Sequence, residues 1–249
     1  MSKNNSSGHL LNVNNFNVMI SRIITFGEAF QPSRESLTVQ GLQSLLKKSE
    51  DTLASVSAAE VNEMNIIAAR QNAFQPLDSL VTRSISALRI TDVLPETLAQ
   101  AESMVRELRA IRVSATQADE ASADQNAATK QSRTNTVHNS SFVRRADNFE
   151  SYVLFLAGKT PYNPNEPDLT IASLTQKAAG LKKLNKDVVD AKSAVKAARR
   201  DRNITLYEDG TGMVDIASAV KQYVKSVFGV KTVQYKLINE IAFKKVKDE

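Results

Sequence analysis

From Glu96 to Ala157 the chain contains no glycine and no proline. Few folds tolerate so long a stretch without turn residues, because sheet proteins must reverse direction every few residues. The whole sequence repeats the point on a larger scale. Only 8 glycines and 6 prolines punctuate 249 residues, and Ala, Leu, Lys, Gln and Glu, all good helix formers, fill the intervals. The expected fold is all-α.

Apolar periodicity divides this helical chain into parts. Phe16, Met19, Ile20, Ile23, Ile24 and Phe26 recur at helical spacing and stop at Gly27. Pro32 follows. A long helix then starts near Arg34 or Ser36, carries Val39, Leu42, Leu46, Leu53 and Val56, and ends near Asn72. After Pro76 a shorter helix presents Leu77, Leu80, Val81, Ile85 and Leu88. Another opens at Pro95, where a missing N–H costs little, with Thr91 or Asp92 expected as its cap. The second half offers a similar order. Phe149, Tyr152, Val153, Phe155 and Leu156 precede Gly158, and a long helix spans about 167–202. Its seam is a heptad: Leu174, Leu181, Val188 and Val195, with Leu184, Ala191 and Ala198 at the complementary offset and Lys177 as its poorest member. Helices around Val214–Val227 and after Thr232 complete it. Residues 1–14 read as a flexible polar tail. Residues 113–145 read as a polar helix extension or linker, the linker being favoured over 131–141 for its Ser, Thr and Asn.

The matching order suggests an internal duplication, with helical units at 15–112 and 146–245. The paired features include Phe30-x-Pro32 with Tyr162-x-Pro164, and Ala68-Ala69-Arg70 with Ala197-Ala198-Arg199. Val81, Ile85 and Leu88 pair with Val220, Val224 and Val227. The expected architecture is an elongated helical bundle of two similar units with long antiparallel helices. The aromatic-Pro pairs Phe30/Pro32, Phe74/Pro76 and Tyr162/Pro164 read as helix-corner devices rather than recognition motifs.

Motifs for chemistry are sparse. Cysteine is missing from the sequence, which removes disulfides, thiolate metal sites and cysteine nucleophiles. The two histidines, His9 and His138, fall in polar segments, and no Gly-x-Ser-x-Gly elbow or Walker loop is present. Catalytic, cofactor and metal residues are therefore expected to be none, no cofactor is expected, and the chain reads as a non-enzyme. Its N-terminus has no apolar run of a secretory signal, and 152-YVLFLAG-158 falls well short of the roughly 18–20 residues that span a bilayer. The expected location is cytoplasmic, with export by another route left open.

Charge is uneven along the sequence. Residues 1–124 hold 11 basic and 14 acidic residues, net −3, and 125–249 hold 21 and 13, net +8. This polarity and the apolar helix faces point to a structural or protein-interaction protein that self-assembles, with a homo-oligomer or another protein as partner. Two alternatives remain. A nucleic acid could follow the basic helix 177–202, on Lys182, Lys183, Lys186, Lys192, Lys196, Arg199, Arg200 and Arg202. A membrane-active protein could release the apolar clusters 16–30 and 149–158, by analogy with pore-forming helical hairpins.

Overall fold

The structure, a computed structural model, describes residues 5–120 and 127–246, with side chains described for 8–109 and 142–246. Among them every regular element is helical: α1 (Asn5–Ile24), α2 (Val39–Phe74), α3 (Leu77–Arg89), α4 (Pro95–Glu120), α5 (Ala127–Ala157), α6 (Ile171–Tyr207), α7 (Met213–Phe228) and α8 (Val233–Asn239). Two 3₁₀ turns, Gly27–Ala29 and Glu35–Leu37, lie between α1 and α2.

The described chain forms two compact units, and they do not follow the bounds 15–112 and 146–245. One comprises Met1–Glu63 with Lys192–Glu249, and the other Met64–Ala191. Both boundaries fall inside a long helix, the first in α2 and the second in α6. Each unit has its own apolar cluster. In the first, Phe16, Met19 and Ile23 of α1 and Phe30 of the corner join Met213, Val220 and Val224 of α7, with Leu206 and Ile238. In the second, Phe74, Leu77, Val81 and Leu88 join Leu108 of α4, Phe149, Tyr152 and Leu156 of α5, and Leu174 and Leu181 of α6. Local hydrophobicity cannot reveal this grouping, because it arises from which apolar stripes meet.

The grouping also disperses the charge polarity. Met1–Glu63 with Lys192–Glu249 hold 17 basic and 13 acidic residues, net +4, and Met64–Ala191 hold 15 and 14, net +1. The acidic and basic halves of the sequence do not become acidic and basic units.

Several local expectations need correction. The 1–14 tail is helical from Asn5, with His9, Asn12 and Val13 buried; residues 1–4 lie outside the described residues. Within 113–145, residues 113–120 belong to α4 and 127–145 to α5, so the favoured linker at 131–141 is helix; 121–126 lie outside the described residues. Once a helix is nucleated, each added residue gains a hydrogen bond, and this carries α5 through weak formers. The helix expected to stop at Arg202 continues to Tyr207, because Thr205 and Leu206 are buried and burial outweighs the low helix propensity of Asn203-Ile204-Thr205. Thr91 does not cap α4. Its hydroxyl donates to the Leu88 carbonyl at 2.7 Å and closes α3 instead.

The corners show how the chain starts its long helices. Gly27 takes φ 57°, a left-handed conformation open to glycine at little cost. Thr38 Oγ1 then accepts the Gly41 N–H at 3.1 Å, and Thr170 Oγ1 accepts the Ser173 N–H at 3.3 Å. Each threonine thereby satisfies one of the orphan N–H groups that open a helix.

Candidate interaction surface

The basic row of α6 comes down on a face already supplied with acids. Lys182 Nζ lies 2.6 Å from Glu150 and 3.3 Å from Asp147. Lys183 pairs with Asp187 at 2.6 Å and Lys186 with Asp190 at 2.5 Å. Arg199 reaches Glu60 at 2.7 Å, and Arg200 lies 3.7 Å from Asp201. The hydrogen bond to Glu150 raises the Lys182 ammonium above its ordinary range, and that to Asp190 does the same for Lys186. Lys192 is half-buried and Lys196 exposed. Arg202 is buried, with its guanidinium donating to Asn203 Oδ1 at 2.8 and 3.0 Å. A phosphate approaching this helix would have to displace carboxylates from five of the eight residues.

The corner aromatics point inward. Phe30 packs edge-on to Tyr223 with ring centroids 5.1 Å apart. Tyr162 is buried and donates its hydroxyl to the Leu169 carbonyl at 2.9 Å; burial raises its pKa. Phe74 is buried against Phe142 at 4.8 Å, while Pro76 stands exposed as the residue before α3. Pro32 and Pro164 are half-buried. The apolar clusters 16–30 and 149–158 supply Phe16, Met19, Ile23, Phe149, Tyr152 and Leu156 to the two cores. No helix among the described residues is long and apolar enough to cross a membrane.

Two polar features escaped the sequence reading. His9 is buried, and its Nδ1 lies 2.7 Å from the Tyr207 hydroxyl. Asn12 Nδ2 donates to the same hydroxyl at 3.2 Å and to the Lys244 carbonyl at 2.7 Å. The signal was present, since His9, Asn12, Val13, Phe16 and Ile20 continue one helical stripe, but the surrounding Asn and Ser masked it. The second feature is a groove of about 600 Å³ lined by Thr82, Arg83, Ser86, Ile90, Asn163 and Glu166. Nearby, Arg83 forms a bidentate pair with Asp168 and holds that carboxyl below its ordinary range. Hydroxyl, amide and apolar groups line the groove together with the Arg83 guanidinium and the Glu166 carboxylate. Among the described residues no three His, Asp or Glu side chains gather as a metal-binding set.

What the surface does offer is apolar. Ile90 is 88% exposed and Leu94 70%, both in the α3–α4 connection. Val233, at the start of α8, is 69% exposed; Val230 of the α7–α8 connection and Val227 near the end of α7 are also open. The helices on either side of that connection meet the end of α1: Phe228 of α7 packs against Phe26, with rings 5.4 Å apart, and Arg22 donates to the Leu237 carbonyl of α8. Ile24 is exposed beside it. Both units thus leave branched apolar side chains in water at the link that follows their short amphipathic helix, α3 or α7. No protein-family model, curated protein or solved structure matches the chain.

Proposed function

We propose that the protein is a non-enzymatic helical scaffold that self-associates through these exposed connections. The carrying observation is the exposure of Ile90 and Leu94 in the α3–α4 connection and of Val233 at the start of α8. Covering such side chains stabilises an assembly by about 25 cal/mol per Å² of apolar surface removed from water. Charge attraction between opposite units is not invoked, because the folded units carry +4 and +1. Sedimentation of the purified protein tests it. Concentration-dependent oligomers are expected, and Ile90→Lys with Leu94→Lys should shift them toward monomer without lowering helicity. A wild-type protein that stays monomeric at high concentration would sink the proposal.

The same reading includes an internal duplication, supported by the pattern of burial. In the long helices an offset of 132 pairs buried residues with buried residues: Leu42 with Leu174, Val56 with Val188, Arg70 with Arg202, and Phe74 with Leu206. The cap threonines Thr38 and Thr170 share that offset. In the next helix an offset of 136 pairs Leu77 with Met213, Val81 with Ala217, Ser84 with Val220 and Leu88 with Val224, all fully buried. This register differs from the pairings drawn from sequence: Arg70 answers Arg202 rather than the exposed Arg199, and Val81, Ile85 and Leu88 answer Ala217, Lys221 and Val224 rather than Val220, Val224 and Val227. An antiparallel course for α2 and α6 is supported by Glu60 bonding Arg199, while Ala73 shares a groove with Ser173 and Lys177.

A further inference from the structure

We infer that the two halves of the chain are reciprocal partners, so that the molecule is the single-chain form of an exchanged dimer. The inference builds on the proposed duplication. In each half, the front is the first helix (α1 or α5), the corner and the start of the long helix; the back is the rest of the long helix and the two helices after it. One compact unit joins the first half's front, Met1–Glu63, to the second half's back, Lys192–Glu249. The other, Met64–Ala191, contains the first half's back and the second half's front.

The long helices explain why. α2 runs unbroken from Val39 to Phe74 and α6 from Ile171 to Tyr207. Each boundary between the units falls inside one of these helices, so each long helix has its two ends in different units. A front must therefore find its back on the other half.

Side-chain contacts within each unit cross between halves accordingly. In the first unit Phe30 meets Tyr223, Arg34 donates to the Gly210 carbonyl at 3.2 Å, and Asn12 bonds Tyr207 and Lys244. In the second, Arg83 pairs with Asp168, Arg145 with Asp78 at 2.8 Å, and Tyr152 with Ser84 at 3.0 Å. The contacts are also keyed. At an offset of 133 in the first helices, which also pairs buried Phe16 with Phe149 and Ile23 with Leu156, and of 136 after the long helices, the Tyr152–Ser84 pair corresponds to Met19 and Val220, both buried in the other unit's core. Joining the second half's front to its own back would set the Tyr152 hydroxyl against valine and leave it without an acceptor. Specificity of this kind rests on penalising the wrong pairing.

The test is to insert a site-specific protease sequence between Ala123 and Asp124 and cut the folded protein. The two pieces are expected to stay together as a 1:1 complex with unchanged helicity, to separate only in denaturant, and to melt at a temperature that rises with concentration. Co-expressing 1–123 and 124–249 as two chains should give the same complex. Pieces that part under native conditions and each remain folded would overturn the inference. Self-association of the uncut protein is measured separately, so failure of one reading is distinguishable from failure of the other.

Discussion

The Tyr152–Ser84 contact allows a sharp quantitative prediction. Both residues are fully buried. The Ser84 hydroxyl donates to the Val81 carbonyl at 2.9 Å, so its oxygen is left to accept the Tyr152 proton at 3.0 Å. The two truncations should therefore differ. Tyr152→Phe removes a hydroxyl whose partner keeps another bond, and should cost about 1 kcal/mol. Ser84→Ala keeps the tyrosine hydroxyl and takes away its acceptor, and should cost about 1–3 kcal/mol, the desolvation penalty of a buried polar group. The double variant should be less destabilised than the sum, with a coupling on the order of 1 kcal/mol. Thermal melts followed by circular dichroism can resolve this, since 1 kcal/mol moves the midpoint by roughly 2–4 °C in a protein of this size. If Ser84→Ala costs less than Tyr152→Phe, or if the two effects simply add, the assignment of donor and acceptor is wrong.

Other expectations follow from the same geometry. Burial pushes the Tyr152 pKa up to about 12. Because the folded value exceeds the ordinary value near 10, its contribution to stability is complete below about pH 10 and is lost as the pH rises through 12. Tyrosinate absorbance should show late-ionising residues among the five tyrosines, and Tyr152→Phe should remove one of them. Phe30→Ala should destabilise by about 3–5 kcal/mol by emptying the corner against Tyr223, measurable as a lowered denaturant midpoint. Thr38→Ala and Thr170→Ala should each cost about 1 kcal/mol in the same assay, because each removes a side-chain acceptor from a helix start.

Much of the secondary structure was legible in the sequence, and for physical reasons. Scarce turn residues and helical periodicity marked α2, α3, α6 and α7, and Pro76, Pro95 and Gly229 fall at or beside helix ends. The corner aromatics could be recognised because a large apolar residue before a proline has little to do except pack inward. Thr232 was recognisable as a cap, and its side chain accepts the Tyr235 N–H. Composition misled where burial depended on distant partners. The Asn-rich start of α1 looked solvated because its neighbours, Tyr207 and Lys244, lie near the other end of the chain. Arg202 looked like part of a basic face, yet it sits on the heptad seam, seven residues beyond Val195. The grouping of elements into units was the least visible feature. Both halves carry the same alternation of helices, and local pattern cannot say which front meets which back.

Spin-label distances can test that exchange directly in the intact chain. The sequence has no cysteine, so only introduced thiols are labelled. Glu60→Cys with Arg199→Cys reports on the first unit, and Arg83→Cys with Asp168→Cys on the second. Both pairs replace partly exposed ion pairs, whose loss disturbs a fold little because solvent screens them. The exchanged arrangement predicts short, narrow distance distributions for both pairs in the monomeric protein. Long or broad distributions for either pair, in protein that keeps its helicity, would contradict it.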